Sequence, residues 1–506
     1  MLSATVVSLH AQAPSTYDLR SAGAGGTSWV AAVQDQALMG DCWTFSSATA
    51  IDSNLLKNGY LATSATPPQI QISSWHISTA VGAPEWLAYN PNREDWESDT
   101  GSGNWGGFNW MTMGYLTRGR GVWPVPGASE GTIQNMGGGA VLVSQNPLNA
   151  FPIDAINDKQ DMDSYLPPTS QSLSYITNSV SYIDQKINKR SRTEQVVAVK
   201  QALTDHGALT TYMYAGGGSV FKRDSLGNMV TRYTGGKAYS HAVTIIGWDD
   251  NYVIDGKKGA WIVQNSWGAD WGNQGTFYAS YTDKWIGRAG ISAFEMAPIG
   301  NYDEVVLQNE FGPVETTGTS KNPLGMQLLK KGLTKRTNEV ASVISLSEDE
   351  TLSAIGLSSF VAGAEVKISI YTQWGANGPE GDALASNLTY TFTNIGYQLF
   401  QLENAITLDG DASLVIVVDY QDKLNVVPYV LGGAESGLSF YNGGKKGWQD
   451  FADIRKAGGT FFVKGITSSS PPMGIAAIPE PSTWALVGIG LGAGVFVLRR
   501  NRAARR

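Results

Sequence analysis

A chain of 506 residues with a single cysteine, Cys42, cannot close a disulfide within itself or build a zinc site from cysteines. Whatever it folds into is therefore held by burial, and the one thiol is either a buried apolar side chain or a reactive group. Composition supplies the means for burial: hydrophobic residues make up 42% and charged residues 16%. That charge content lies well under the ~25% of ordinary soluble proteins and excludes a disordered chain. A formal charge of −8, with no long basic run before the last eight residues, argues against nucleic acid as a partner. The length predicts several domains.

The pattern changes near residue 300. Before it, Trp43 to Lys57 reads as a helix, with Phe45, Ala48, Ile51 and Leu55 three to four apart and Lys57-Asn58-Gly59 ending it. Thr193 to Asp205 reads as a second helix with Thr193 as its N-cap, stopping at His206-Gly207. Leu209 to Tyr214, His241 to Trp248 and Trp261 to Gln264 read as strands. After it, Val366, Ile368 and Ile370 alternate with Lys367 and Ser369, and Leu414 to Val418 is a β-branched run. Several such strands between Gly, Asp and Asn turns predict an all-β sandwich over 300–467.

The two ends read as addresses. Residues 1–13 finish on Ala11-Gln12-Ala13, an arrangement of small residues that predicts the tail of a partial signal peptide. At the other end a Ser/Pro linker, 468–477, leads to Pro479-Glu480-Pro481, an uncharged run from Trp484 to Leu498, then Arg499, Arg500 and Arg502. As a helix that run is about 22 Å long, short of the ~30 Å hydrocarbon core, so it spans only marginally. The order of these parts over 478–506 resembles the PEP-CTERM sorting signal of Gram-negative bacteria. The resemblance implies a short transmembrane sorting helix, transient inner-membrane insertion, processing by exosortase-type machinery, and delivery to the cell surface or extracellular matrix.

Cys42 follows Gly40-Asp41 and opens the first predicted helix. There the positive end of the helix dipole favours a thiolate, the form that acts as a nucleophile. Taken alone, the position favours a buried structural cysteine, because free cysteine is among the most buried residue types. His241 heads a predicted strand, and Asn265 follows 24 residues later in Gln264-Asn265-Ser266-Trp267-Gly268. With Gln36 six residues before Cys42, these motifs resemble the papain family of cysteine peptidases. Tyr17-Asp18-Leu19-Arg20, Trp105-Gly106-Gly107 and Trp271-Gly272 extend the likeness over 15–285. It implies that Cys42 attacks a peptide carbonyl, His241 shuttles the proton and Asn265 orients the imidazole. Gln36 then donates to the oxyanion, a contact worth ~2.7–4 kcal/mol in another protease class. It further implies that Gly106 and Gly107 bind substrate backbone and that Trp267 shields Asn265 beside the substrate.

The expected fold class is α+β: a two-lobed papain-like domain over 14–299, with a helical lobe and a β-barrel-like lobe. A lectin-like sandwich and the sorting helix follow. Cys42 to His241 spans more residues than the ~130–150 of the signature family, which predicts an insertion at 122–192. Met39 replaces the usual cysteine of the motif, and Asp41 sets an acid beside the nucleophile, opposing thiolate formation. Expected partners are a peptide or protein substrate, the sorting machinery and extracellular polysaccharide; no cofactor or metal is expected. The alternatives are a catalytically silent binding protein on the same scaffold, or a peptide acyltransferase using the same thioester.

Weaker patterns point elsewhere. Gly127-Ala128-Ser129-Glu130-Gly131 matches G-x-S-x-G, but Pro124 and Pro126 argue against the strand that a nucleophile elbow needs. Asp249, Asp250, Asn251 and Asp255 are oxygen ligands without the spacing of an EF-hand, which favours a turn. His76 and His206 lack metal-ligand spacing.

Overall fold

The structure, a computed structural model, describes residues 13–36, 40–61, 72, 74, 77, 107–117, 133–136, 139–142, 175–217, 220–298, 304–306, 315–316, 338–346, 350–407, 412–421, 427–431, 436–452 and 459–468. Residues 1–12 of the expected signal peptide, 469–477 of the expected linker, the sorting signal of 478–506, Met39, His76, Trp105, Gly106 and Gly127–Gly131 lie outside them. So does most of the expected insertion. Among the described residues no helix is long and apolar enough to cross a membrane.

Cys42–Lys57 is a helix, as its periodicity predicts, and closes at Asn58 with Gly59 at φ 73°. It is buried on every side from Trp43 to Leu56, more than one apolar face requires. Its polar side chains instead tie it to its neighbours. Ser46 Oγ donates to Val243 O (2.9 Å), Ser53 Oγ accepts from Ala208 N–H (2.9 Å), and Asn54 bonds both His206 O (2.8 Å) and Met296 N–H (2.9 Å). The second helix is Arg192–His206, and its cap differs from the expected Thr193. Ser191 accepts from Glu194 N–H while the Glu194 carboxylate takes Ser191 N–H, so the reciprocal capping box fixes the cap two residues earlier.

Against this helix lies a seven-stranded sheet built on the long strand His241–Ile254. Thr16–Asp18 and Leu209–Met213 pair along one side of it and Lys257–Gln264 along the other, all antiparallel. Thr276–Ser280, Met229–Thr231 and Phe221–Arg223 complete the order. Val199 and Leu203 of the second helix pack with Ile245, Trp248, Trp261, Val263 and Phe277 of the sheet.

The sandwich has two six-stranded antiparallel sheets, one built wholly from strands beyond residue 300 and one that takes four strands from there and two from before it. Val366, Ile368 and Ile370 face inward as their alternation predicts, meeting Leu352, Ile355, Leu357 and Phe400 of the opposite sheet. Strand Ala412–Tyr420 is buried on both faces, with Leu414, Ile416 and Val418 in that core and Val415 and Val417 in a second cluster under Trp374.

One sheet crosses the expected division. Its order is Ser292–Pro298, Tyr175–Tyr182, Gly396–Thr407, Thr351–Ser359, Val463–Ser468, Glu304–Val306. Tyr175–Tyr182, which falls inside the expected insertion, is thus a sheet strand pairing Val180 with Tyr397 and Ser181 with Gly396. Phe360, Ile395, Tyr397 and Phe462 share one core with Trp43, Ile51, Tyr182 and Phe294. The two parts are joined by backbone pairing and side-chain burial together.

Candidate active site

Cys42 begins its helix and is partly exposed, while Trp43 beside it is fully buried. The backbone N–H groups of Cys42 and Trp43 act on the sulfur, and Ala242 N–H donates to Sγ at 3.3 Å from the strand that His241 heads. Burial pushes the thiol above its ordinary value; the Ala242 hydrogen bond opposes this, and the charge of Asp41 adds to it. The sequence reading of Asp41 as an opponent of the thiolate has that physical basis.

The register that pairs Thr244 with Gln264 delivers Asn265 to His241. His241 Nε2 lies 2.8 Å from Asn265 Oδ1, and the same oxygen accepts from Ser266 N–H at 2.9 Å. An amide oxygen only accepts, so Nε2 carries the hydrogen and Nδ1 keeps its lone pair for a proton. His241 is 7% exposed, and burial lowers its pKa to about 4 against the raising effect of the Asn265 bond. The resting imidazole is therefore neutral over the physiological range. Trp267 stacks on the ring (centroids 4.8 Å, 22°) and is itself braced edge-on by Trp271.

Gln36 is buried and crosses to the same loop. Its N–H donates to Ser266 O at 2.8 Å, and its Oε1 accepts from the Ser266 hydroxyl. Holding the amide by its oxygen sets its NH2 end on the opposite side. Gly107 packs on Trp43, where an added Cβ would stand 2.3 Å from the indole Nε1, so only glycine permits this approach. Cys42, His241, Asn265, Gln36 and Trp267 are thus gathered around one loop-and-helix junction; Gly106 lies outside the described residues.

Sequence reasoning missed two contributors: the Ala242 amide on the sulfur and the Ser266 hydroxyl on Gln36. Ser266 stood inside the Asn-Ser-Trp-Gly run, and its position after Asn265 was the available signal. The acidic loop carries no cluster of metal-binding side chains among the described residues. Asp250 takes Lys200 Nζ (2.6 Å) and the Tyr281 hydroxyl, Asp255 takes Lys222, and Asp249 caps the turn amides of Asn251 and Tyr252.

Fold and site together place a Cys-His-Asn arrangement on a helix-and-sheet part that is joined to a β-sandwich. Residues 155–299 match the papain family cysteine protease, residues 322–467 the lectin-like domain and residues 477–502 the PEP-CTERM protein-sorting motif. Three separate segments of the chain thus match a papain-family model, a lectin-like model and a PEP-CTERM model, in that order. His241 and Asn265 fall within the first match; Gln36 and Cys42 precede it. The cysteine protease and lectin-like domains of Cwp84, a surface layer associated protein of Clostridium difficile, share the fold. The TM-score is 0.59 at 18% identity, covering 91% of this chain and 90% of that one. A cysteine protease of Blomia tropicalis is 34% identical over 115 residues, 22% of this chain and 30% of the relative. A cysteine proteinase of Theileria parva is 39% identical over 66 residues, 12% and 14% respectively. The chain spans less than a third of the length of these curated relatives.

Proposed function

We propose that this chain is an exported cysteine-type peptidase acting through Cys42, His241, Asn265 and Gln36. In the resting site thiol and imidazole are both neutral. As Sγ attacks the peptide carbonyl, its proton passes to His241 Nδ1 and the carbonyl oxygen becomes an oxyanion. The Gln36 NH2 and the Cys42 backbone N–H receive that charge. The C–N bond then breaks as the imidazolium protonates the leaving amine, leaving a thioester on Cys42. Water, deprotonated by His241, cleaves the thioester and restores the thiol. Gly106 and Gly107 bind the peptide backbone, and Trp267 keeps water from the His–Asn pair beside the substrate.

The observation that carries the reading is the joint geometry of His241 Nε2 on Asn265 Oδ1 (2.8 Å) and Ala242 N–H on Cys42 Sγ (3.3 Å). The PEP-CTERM match supports sorting by an exosortase to the surface of a Gram-negative cell, after transient anchoring by the tail. Extracellular polysaccharide is the ligand class proposed for the lectin-like part. The test is cleavage of an unfolded protein by residues 14–468, with Cys42→Ala as control. Fragments from the wild type alone support the reading, and equal cleavage by both sinks it.

One observation favours a second reading, a silent binding protein on this scaffold: burial and Asp41 both raise the Cys42 thiol. Absence of cleavage, with retained binding to polysaccharide, would select it.

A further inference from the structure

Beside Asn265 lies a small cavity, with about 10 Å³ of room for the centre of a water molecule, enough for one. Gln34 and Asn265 line it together with Ser46, Thr49 and Thr244. Gln34 is 6% exposed, and neither its Nε2 nor its Oε1 meets a partner among the described residues. Asn265 Nδ2 is in the same position, although Asn265 Oδ1 is fully used by His241 and Ser266. Two buried amides with open ends beside a water-sized space are costly unless something joins them.

The hydroxyls around them have only acceptor capacity left. Ser46 Oγ donates to Val243 O, Thr49 Oγ1 to Phe45 O and Thr244 Oγ1 to Ser46 O. What the site needs is a group that accepts from Asn265 Nδ2 and donates to Gln34 Oε1, with a second proton for a hydroxyl oxygen. Water does all three.

We propose that Gln34 is a positioning residue for the His241–Asn265 pair, acting through one buried water that bridges Gln34 Oε1 and Asn265 Nδ2. The bridge makes the two ends of the Asn265 amide unequal. With Nδ2 held by the water, Oδ1 stays on His241 Nε2–H; a flipped amide would set two donors against each other there. Gln34 never touches the substrate and acts through the orientation of the base. This inference rests on the reading of His241 as the base.

The experiment is a double-mutant cycle with Gln34→Met and Asn265→Ala in the full chain, measuring kcat and KM on one peptide. Gln34→Met should lower kcat about tenfold with KM within about twofold, the scale of one lost orienting hydrogen bond. In the Asn265→Ala background it should have no further effect. Gln34→Glu, which keeps an accepting oxygen, should restore most of kcat. An equal loss in both backgrounds, or no loss in either, overturns the proposal. A crystal structure of the wild type gives a check independent of variant folding: a water within hydrogen-bond reach of both amides supports the bridge. Density showing Gln34 bonded elsewhere refutes it. Wild-type turnover by Cys42→Ala would instead overturn the peptidase reading, whatever Gln34 does.

Discussion

Cutting the chain after residue 299, at the division its sequence pattern suggests, should destroy the peptidase part rather than release it. The cut removes Phe360, Ile395, Tyr397 and Phe462, which are 7%, 5%, 4% and 1% exposed and belong to the core around Trp43, Ile51 and Tyr182. At ~1.5–3 kcal/mol for each large apolar side chain buried, four of them contribute about 6–12 kcal/mol. That rivals the whole ~5–15 kcal/mol by which domains are stable. The cut also strips Gly396–Thr407 from Tyr175–Tyr182, leaving a bare strand edge that invites aggregation. The assay is thermal unfolding of residues 14–468 and 14–299 followed by circular dichroism. The longer chain should melt cooperatively, while the shorter should be insoluble or melt without a transition. Phe462→Ala in the longer chain should cost ~3–5 kcal/mol and lower the same transition that reports Trp43. A soluble 14–299 fragment melting cooperatively within about 5 °C of the parent would refute the shared core, because at that size 1 kcal/mol moves Tm by only ~2–4 °C.

Removing the acidic neighbour should make the nucleophile more reactive. Asp41→Asn lowers the thiol pKa, and iodoacetamide should alkylate Cys42 faster at neutral pH, about tenfold for each unit of change; an unchanged rate would mean that Asp41 is screened. The acid limb of kcat/KM should fall near pH 4, where His241 titrates, in place of the ordinary value near 6.5. The same shift lowers stability as pH falls from about 6.5 to about 4, since only the unfolded chain takes up that proton there. Gln36→Ala should lower kcat about 10²–10³-fold with little change in KM, because the oxyanion exists only in the transition state; a pure KM effect would remove Gln36 from that role.

The residues of the site were legible because chemistry constrains their local surroundings. A cysteine opening a helix, a histidine heading a strand and an asparagine in an Asn-Ser-Trp-Gly run each leave a mark within a few positions. The alternation of Val366, Ile368 and Ile370 reported the sandwich for the same reason. What escaped was set by partners far along the chain. The pairing of Tyr175–Tyr182 with Gly396–Thr407 joins segments over two hundred residues apart, and no pattern within either strand names the other. Gln34 escaped because a buried glutamine looks like a surface one until the cavity beside Asn265 is seen. The helix cap moved to Ser191 because the Glu194 carboxylate three residues on completes a box that Thr193 cannot form.

The central claim is that Cys42 is a working nucleophile rather than a buried structural thiol, and stoichiometric labelling of the native protein tests it most directly. Residues 14–468 would be treated with one equivalent of an epoxide reagent for papain-like thiols, and the adduct located by mass spectrometry while hydrolysis is followed. With one thiol in the chain there is no competing cysteine. The account predicts one adduct per chain on Cys42 under native conditions, loss of turnover in proportion to labelling, and slower labelling in His241→Ala. Labelling only after denaturation, or full hydrolysis by the labelled protein, would contradict it.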